Sequence, residues 1–323
     1  MGRNLSAPRL QVIAAGLSLT GLALFPWLGE PVYFVSFAFT VFLYVTLAGS
    51  WNLIGGYAGY LSFGHVAFFG IGAYANALMA SAFSLSAPCM ILAAVPAGAV
   101  AAAVSLLIGY PCLRLRGPYF AVITLCFTFV ARLAVNNLSI FGGSDGLWLK
   151  AMTLPIETSR SVFYELMFVL MIVTTAVSAW IGRSRLGAGL RAIKEDEEVA
   201  QTMAINAPRL KITAFAFSAF FTGMAGGLYA NYLTYIHPDI VFDVNISILI
   251  VLMALFGGTS WWLGPVVGAA SLSIINELLS TFVKAELARL IYGCLFIVVI
   301  IFMPNGVTEF LAKLRRAPGL PDG

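Results

Sequence analysis

The residues able to do chemistry are few and gathered in one place. Ten of the chain's 32 charged residues stand in a single 29-residue stretch, RSRLGAGLRAIKEDEEVAQTMAINAPRLK (183–211). Inside it, Glu195, Asp196, Glu197 and Glu198 run together just before Val199 and Met203, an apolar pair four residues apart. A spacing of four puts two side chains on one helix face, and carboxylates in a first turn meet the positive end of the helix dipole. The stretch therefore reads as a short amphipathic helix. Gly187 and Gly189 are expected to loosen its approach, and Pro208, which lacks an N–H and restricts Ala207, to end it. The chemistry on offer is recognition: a helix held at a membrane face to receive a soluble partner, or else a solvated loop that ties two spans together.

Catalytic constellations are missing from the sequence. It has no GxxxxGK[ST] phosphate loop, and no lysine directly follows a glycine, so any ATP is expected to be handled elsewhere. HExxH is missing, the GxSxG pattern occurs only as GGSDG (142–146) in the outer connection and not as a nucleophile elbow, and His65 and His237 are too far apart to seed a metal cluster, so no metal and no bound cofactor is expected. Cys89, Cys112, Cys126 and Cys294 are scattered without a CxxC pair and read as buried, inert thiols. Ion-coupled machines place carboxylates at mid-membrane, where they are costly and kept for coupling. Here Arg132, Glu165 and Glu277 fall within or at the ends of apolar segments, and no acidic relay emerges.

These residues must be positioned by membrane spans. The chain is 60% hydrophobic and 10% charged over 323 residues, against roughly 25% charged in soluble domains. An all-α bundle of about ten spans is expected, at 10–29, 32–53, 66–83, 88–110, 117–137, 163–182, 211–233, 244–262, 264–283 and 288–310. The first is long enough to span and shows no small-x-small cleavage site before Glu30, so it is kept as a helix rather than a signal peptide. Thirteen of the 18 Lys and Arg fall on one side of this scheme, at Arg3 and Arg9, Arg114 and Arg116, the 183–210 loop with Lys211 at its edge, and the tail. By the positive-inside rule that side is cytoplasmic. It carries the 1–9 N-terminus, the 183–210 loop and the 311–323 tail, around a 10–310 transmembrane domain. The net charge of +4 thus reflects topology, and no nucleic-acid partner is implied.

Two segments break the apolar pattern. GGYAGYLSFG (55–64) is too rich in glycine and hydroxyl groups for a lipid-facing helix, and broken backbone at membrane depth is tolerated only where it is buried or lines a cavity. His65 beside it either lines a pathway or is hydrogen-bonded structure. The 138–162 connection, with GGSDGL at 142–147, is either a cap over an outer vestibule or a solvated linker. Gly55 with Gly59, Gly223 with Gly227, and Gly264 with Gly268 form small-xxx-small pairs suited to close helix approach.

Together these segments resemble the permease subunits of ABC importers for branched-chain amino acids, specifically the half related to the M-type subunit. The similarity runs from about 50 to 310. WNLIGGYAGYLSFGHVAFFGIGAYANA (51–77) looks like the family's broken segment, and LRLRGPYFAVITLCF (113–127) like its most characteristic stretch. GGSDGL and FGGTSWWLGPVVGA (256–269) are similar to two further signatures, and RAIKEDEEVAQTMAIN (191–206) resembles its coupling loop. The resemblance implies an ATPase-coupling role for Arg191, Lys194, Glu195, Asp196, Glu197, Glu198, Ala200, Met203 and Ala204. It makes Tyr60, Ser62, Gly64, His65, Gly117 and Tyr119 pathway candidates. It further implies a second related permease, two ATPases that use ATP, a periplasmic or lipid-anchored binding protein, an amino-acid substrate and a bacterial inner membrane with both termini cytoplasmic. Departures include Ala204 where the family usually has glycine, Val199 and Thr202 where it has alanine, Tyr60 where glutamine is commoner, and a turn enlarged by Trp261 and Trp262. Related permeases carry urea, short amides or other amino acids. An ion-coupled transporter and a membrane-embedded enzyme are the competing classes.

Overall fold

A computed structural model describes residues 20–28, 31–83, 87–150, 155–282 and scattered positions between 287 and 307. Among the described residues, six helices are long and apolar enough to cross a membrane: Val32–Asn52, Cys89–Cys112, Pro118–Asn137, Ile156–Arg183, Ala207–Leu233 and Pro238–Gly257. The chain is therefore a multi-pass, all-α membrane protein. The expected 66–83 and 264–283 spans are helices as well, at His65–Ala82 and Gly264–Phe282, whereas those at 10–29 and 288–310 lie mostly outside the described residues. The 1–9 and 311–323 segments lie wholly outside them.

Helix ends differ from expectation for identifiable reasons. The 156–183 helix starts directly after Pro155, well before 163. Its 28 residues span about 42 Å at 1.5 Å each, against roughly 30 Å of hydrocarbon. Glu157, Arg160 and Arg183 can thus sit in its two ends, clear of the apolar layer. The helix expected to reach 262 stops at Gly257, because Gly258 turns away at φ +100°.

The 207–233 helix is the hub of the bundle, packed chiefly against the 94–112 and 65–82 helices. Glycine makes the approach possible. A Cβ on Gly72 would lie 2.1 Å from the Gly223 carbonyl oxygen, and one on Gly226 would lie 2.0 Å from that of Phe69. Lipid tails are as apolar as leucine, so helices in a membrane associate through such close packing rather than through a hydrophobic drive. Of the three glycine pairs, Gly223 and Gly227 face Ala101 and Ala94, and Gly268 presses on the Met253 carbonyl of the neighbouring 244–257 helix. Gly55 and Gly59 belong instead to irregular backbone. On the other side of the hub, the 32–52 and 156–183 helices lock through Phe42, whose ring centroid is 5.1 Å from those of both Tyr164 and Phe168.

The two ends of the bundle are built differently. At one, Leu147–Trp148 pairs antiparallel with Tyr235–Ile236, and the Tyr235 hydroxyl donates to the Asp145 carbonyl over 3.0 Å. The glycines of GGSDGL thus shape a strap tied to the end of the hub. Nearby, Arg132 pairs with Asp239, and His237 caps the short 238–241 helix. At the other end lie the 53–64 break, the 113–117 turn and the 184–206 connection.

That connection is not one helix. It folds as Arg185–Glu195 and Glu197–Thr202, bent at Asp196. Gly187 and Gly189 do not loosen it: both lie inside the first helix, where a Cβ on Gly187 would strike the Ile181 carbonyl at 2.2 Å. Nor does Pro208 end it. Pro208 sits in the first turn of the 207–233 helix, where its missing N–H costs nothing, and Asn206 caps that turn by accepting from the Arg209 N–H. Of the thiols only Cys112 is buried; Cys89, Cys126 and Cys294 are exposed on the surface of the isolated chain.

Overpacking a core costs about 1–3 kcal/mol, so Gly226→Ala should lower the melting temperature of the detergent-solubilised chain by several degrees. Gly49→Ala, whose Cβ would meet only a Thr174 methyl at 3.8 Å, should leave it unchanged or raise it. Equal melting temperatures for the two variants would contradict the close seam.

Candidate functional site

Local rules place the elbow. Asp196 is extended, and its carboxylate accepts from the backbone N–H groups of Glu198 (2.8 Å) and Val199 (3.1 Å). It is thus the N-cap of the second helix. The acidic run is thereby divided by role. Glu195 and Glu198 are exposed, Asp196 caps, and Glu197 turns inward with only 10% of its side chain accessible. Ala200 is buried beneath the helix, while Val199 and Met203 stand 55% and 72% exposed on its outer surface.

Glu197 meets a buried lysine. Lys211 is 3% exposed, and its three ammonium protons have three acceptors: Glu197 Oε1 at 2.7 Å, the Tyr60 hydroxyl at 2.9 Å and the Leu113 carbonyl at 2.9 Å. The Tyr60 hydroxyl then donates to Glu197 Oε2 at 2.8 Å, and Arg116 closes the cluster at 3.3 Å from the same oxygen. Arg116 also holds Glu198 at 3.0 Å. Burial pushes the Glu197 carboxyl up, but hydrogen bonds from Lys211 and Tyr60, with the charges of Lys211 and Arg116, outweigh it and hold the group below its ordinary range. One carboxylate therefore joins the elbow, the broken segment, the 113–117 turn and the hub helix.

The first elbow helix makes its own contacts. Lys194 donates to the Gly56 carbonyl at 3.0 Å. Its stem crosses Gly59, which sits at φ +75° and where a Cβ would lie 2.9 Å away. Arg191 donates to the Gly182 carbonyl at 2.8 Å and so satisfies the end of the 156–183 helix.

Apart from the exposed Gly59 and Leu61 the broken segment is largely buried, and its backbone at Ser62 and Phe63 is served by side chains from several helices. Trp51 donates to the Ser62 carbonyl (2.8 Å), Thr124 accepts from the Phe63 N–H (3.1 Å), and Ser247 donates to the Phe63 carbonyl (2.8 Å). His65 is fully buried between Ser62 and Ser218. Its tautomer follows from the neighbours. The Ser218 proton goes to the Ser50 carbonyl at 2.6 Å, so Ser218 accepts from His65 Nε2–H, and Nδ1 accepts from the Ser62 hydroxyl. Both ring nitrogens of His65 are thus taken up by serine hydroxyls, as hydrogen-bonded structure.

The pathway candidates separate accordingly. Ser62, Gly64 and His65 lie in this packed polar belt, Tyr60 belongs to the Glu197 cluster, and Gly117 and Tyr119 are exposed at the start of the 118–137 helix. Gly117 has φ +61°, and Tyr119 is 75% exposed. Sequence reasoning missed Arg116 and Lys211 as site residues, counting them only for orientation. The available signal was Lys211 itself, a cation one turn inside an apolar helix that needs a buried partner. Among the described residues no three His, Cys, Asp or Glu side chains gather to hold a metal.

Ala204 sits at φ +62°, a left-handed backbone that costs a non-glycine residue about 1 kcal/mol. Ala204→Gly should slow amide exchange through 197–206 or leave it unchanged; faster exchange would contradict the strain. The depressed Glu197 carboxyl favours the docked elbow above its unfolded value near 4.5, an advantage lost only as pH falls through the lower folded value. Exchange protection of 197–202 should therefore persist at pH 5 in the wild type and be weaker in Glu197→Gln.

A family model described as a permease component of the branched-chain amino acid transport system matches residues 33–300. The chain is 30% identical over 301 residues to the high-affinity branched-chain amino acid transport system permease protein LivM of Salmonella typhimurium, covering 84% of this chain and 69% of that protein. It is 29% identical to LivM of Escherichia coli K12, with the same coverage. A shorter match, 27% over 172 residues, links it to the permease protein LivH of Salmonella typhimurium and covers 53% of each chain. No solved structure matches. With the family model spanning most of the chain, helices enough for a multi-pass membrane protein and an elbow at one end, this chain belongs to the branched-chain amino acid transport permease family.

Proposed function

We propose that this chain forms half of the translocation pathway of an ABC importer for branched-chain or similar hydrophobic amino acids. It works beside a second, LivH-like permease, with two ATPases at the elbow end and a binding protein at the strapped end. The elbow end then faces the cytoplasm of a bacterial inner membrane, with both termini on that side. The observation that carries this is the elbow: a capped two-helix unit that exposes Val199 and Met203 outward while Glu197 and Lys194 hold it to the body. An apolar pair displayed on a charged, restrained helix suits a groove on a soluble partner. The partner supplies ATP hydrolysis, and this chain supplies the path and the handle.

Tyr60 gives no ground for preferring urea or amides over amino acids. Its departure from the family pattern is accounted for by the Glu197 cluster and so carries no message about the substrate. His65, with both ring nitrogens bonded to buried serines, gives no support to a proton-coupled mechanism.

Co-reconstituted with a second permease, the ATPases and a binding protein, the chain should take up labelled leucine in an ATP-dependent way. Uptake driven by an ion gradient without ATPases would contradict the proposal. Each buried interface anchor contributes about 1–3 kcal/mol, so Val199→Asp with Met203→Asp should weaken ATPase co-purification at least tenfold, with membrane insertion intact. A cysteine at position 196 should be labelled from the cytoplasmic side alone.

A further inference from the structure

We propose that the elbow grips the glycine-rich break at two points, and that this grip delivers the elbow's movement to the buried polar belt. The inference rests on the importer function proposed above and adds the route by which the handle acts. The first grip is Lys194 on the Gly56 carbonyl at 3.0 Å. The second is Glu197 on the Tyr60 hydroxyl at 2.8 Å, braced by Lys211. They come from different helices of the elbow, with the Asp196 bend between them.

Two grips do what one cannot. A single hydrogen bond is a pivot, so the segment could swing about it, whereas two contacts flanking a bend pass on tilt as well as displacement. The gripped segment suits the task because residues 53–64 form no regular helix. Residues 53–57 are turns bonded back to the 50–52 carbonyls, with the Tyr60 N–H on the Ile54 carbonyl, while at Ser62 and Phe63 the backbone is held by Trp51, Thr124 and Ser247, so the segment can shift as a piece hinged on the end of the 32–52 helix.

Its far end is tied to several spans at once. Phe63 is bonded to Thr124 of the 118–137 helix and Ser247 of the 244–257 helix. His65 continues through Ser218 of the hub to the Ser50 carbonyl of the 32–52 helix. A shift at 56–60 thus reaches four membrane helices through direct contacts. Gly59 is part of the device, since any side chain there would displace the Lys194 stem.

The test uses the assembled transporter in proteoliposomes, with Lys194→Met, Tyr60→Phe and the double variant, each leaving the Lys211–Glu197 ion pair intact. ATPase co-purification and ATP hydrolysis should stay within about twofold of wild type. Leucine taken up per ATP should fall a few-fold in each single variant and more than tenfold in the double, and Lys194→Arg should restore the Lys194 site. A double variant with the wild-type uptake per ATP would overturn the grip. So would loss of ATPase binding in step with uptake, which would make these residues docking contacts, or a fall in melting temperature that accounts for the whole loss. The wild-type assembly separates the two claims: if it fails to import leucine with ATP, the proposed function falls, and the grip with it.

Discussion

A buried ammonium is the constraint around which the elbow end is arranged. Lys211 lies one turn inside the hub helix, almost without solvent, where an unpaired charge would cost several kcal/mol. Its neutralisation needs Glu197, which must be brought in on a separate helix, and its remaining protons need Tyr60 and Leu113. Such a pair is weak as a source of net stability, because desolvation offsets most of the attraction. Its strength lies in the penalty for breaking it. The elbow cannot leave the body without stranding a charge, and this makes it a restrained handle rather than a loop.

The rest of the molecule follows a related rule. Backbone groups in hydrocarbon must be satisfied inside the protein, so the 53–64 break bonds back to the 50–52 carbonyls in its first turns and relies on Trp51, Thr124 and Ser247 at Ser62 and Phe63. Those side chains come from the 32–52, 118–137 and 244–257 helices, and beside them the 65–82 and 207–233 helices close on each other because Gly72, Gly223 and Gly226 carry no side chain. Glycine at the seam, hydroxyls at the break and one ion pair at the elbow are successive requirements of a single design.

Much of this was legible in the sequence, and the limits have physical causes. Apolar runs locate spans because hydrocarbon thickness sets their length, and the broken segment announced itself through glycine and hydroxyl content. Helix ends were read less well, since Pro208 opens a helix by the same chemistry that could have closed one. In the acidic run, four adjacent carboxylates look alike until their partners are known. Glu197 is distinguished by Lys211, 14 residues on, and by Tyr60 and Arg116 on two other connections. Helical periodicity gave Val199 and Met203 a common face but carried no information about which face turns outward. Small-xxx-small spacing flagged Gly223 and Gly227 without naming Ala94 and Ala101 as what they meet.

Glu197 faces inward and anchors the elbow, and a charge exchange probes that anchor. Melting temperature and ATPase co-purification would be measured for Glu197→Lys, Lys211→Glu and the double exchange. Each single variant should be destabilised, and the double should recover most of the loss in both readouts. A Glu197→Lys variant as stable as wild type that nonetheless fails to hold the ATPase, with no recovery in the double, would show that Glu197 is a docking contact and contradict the account.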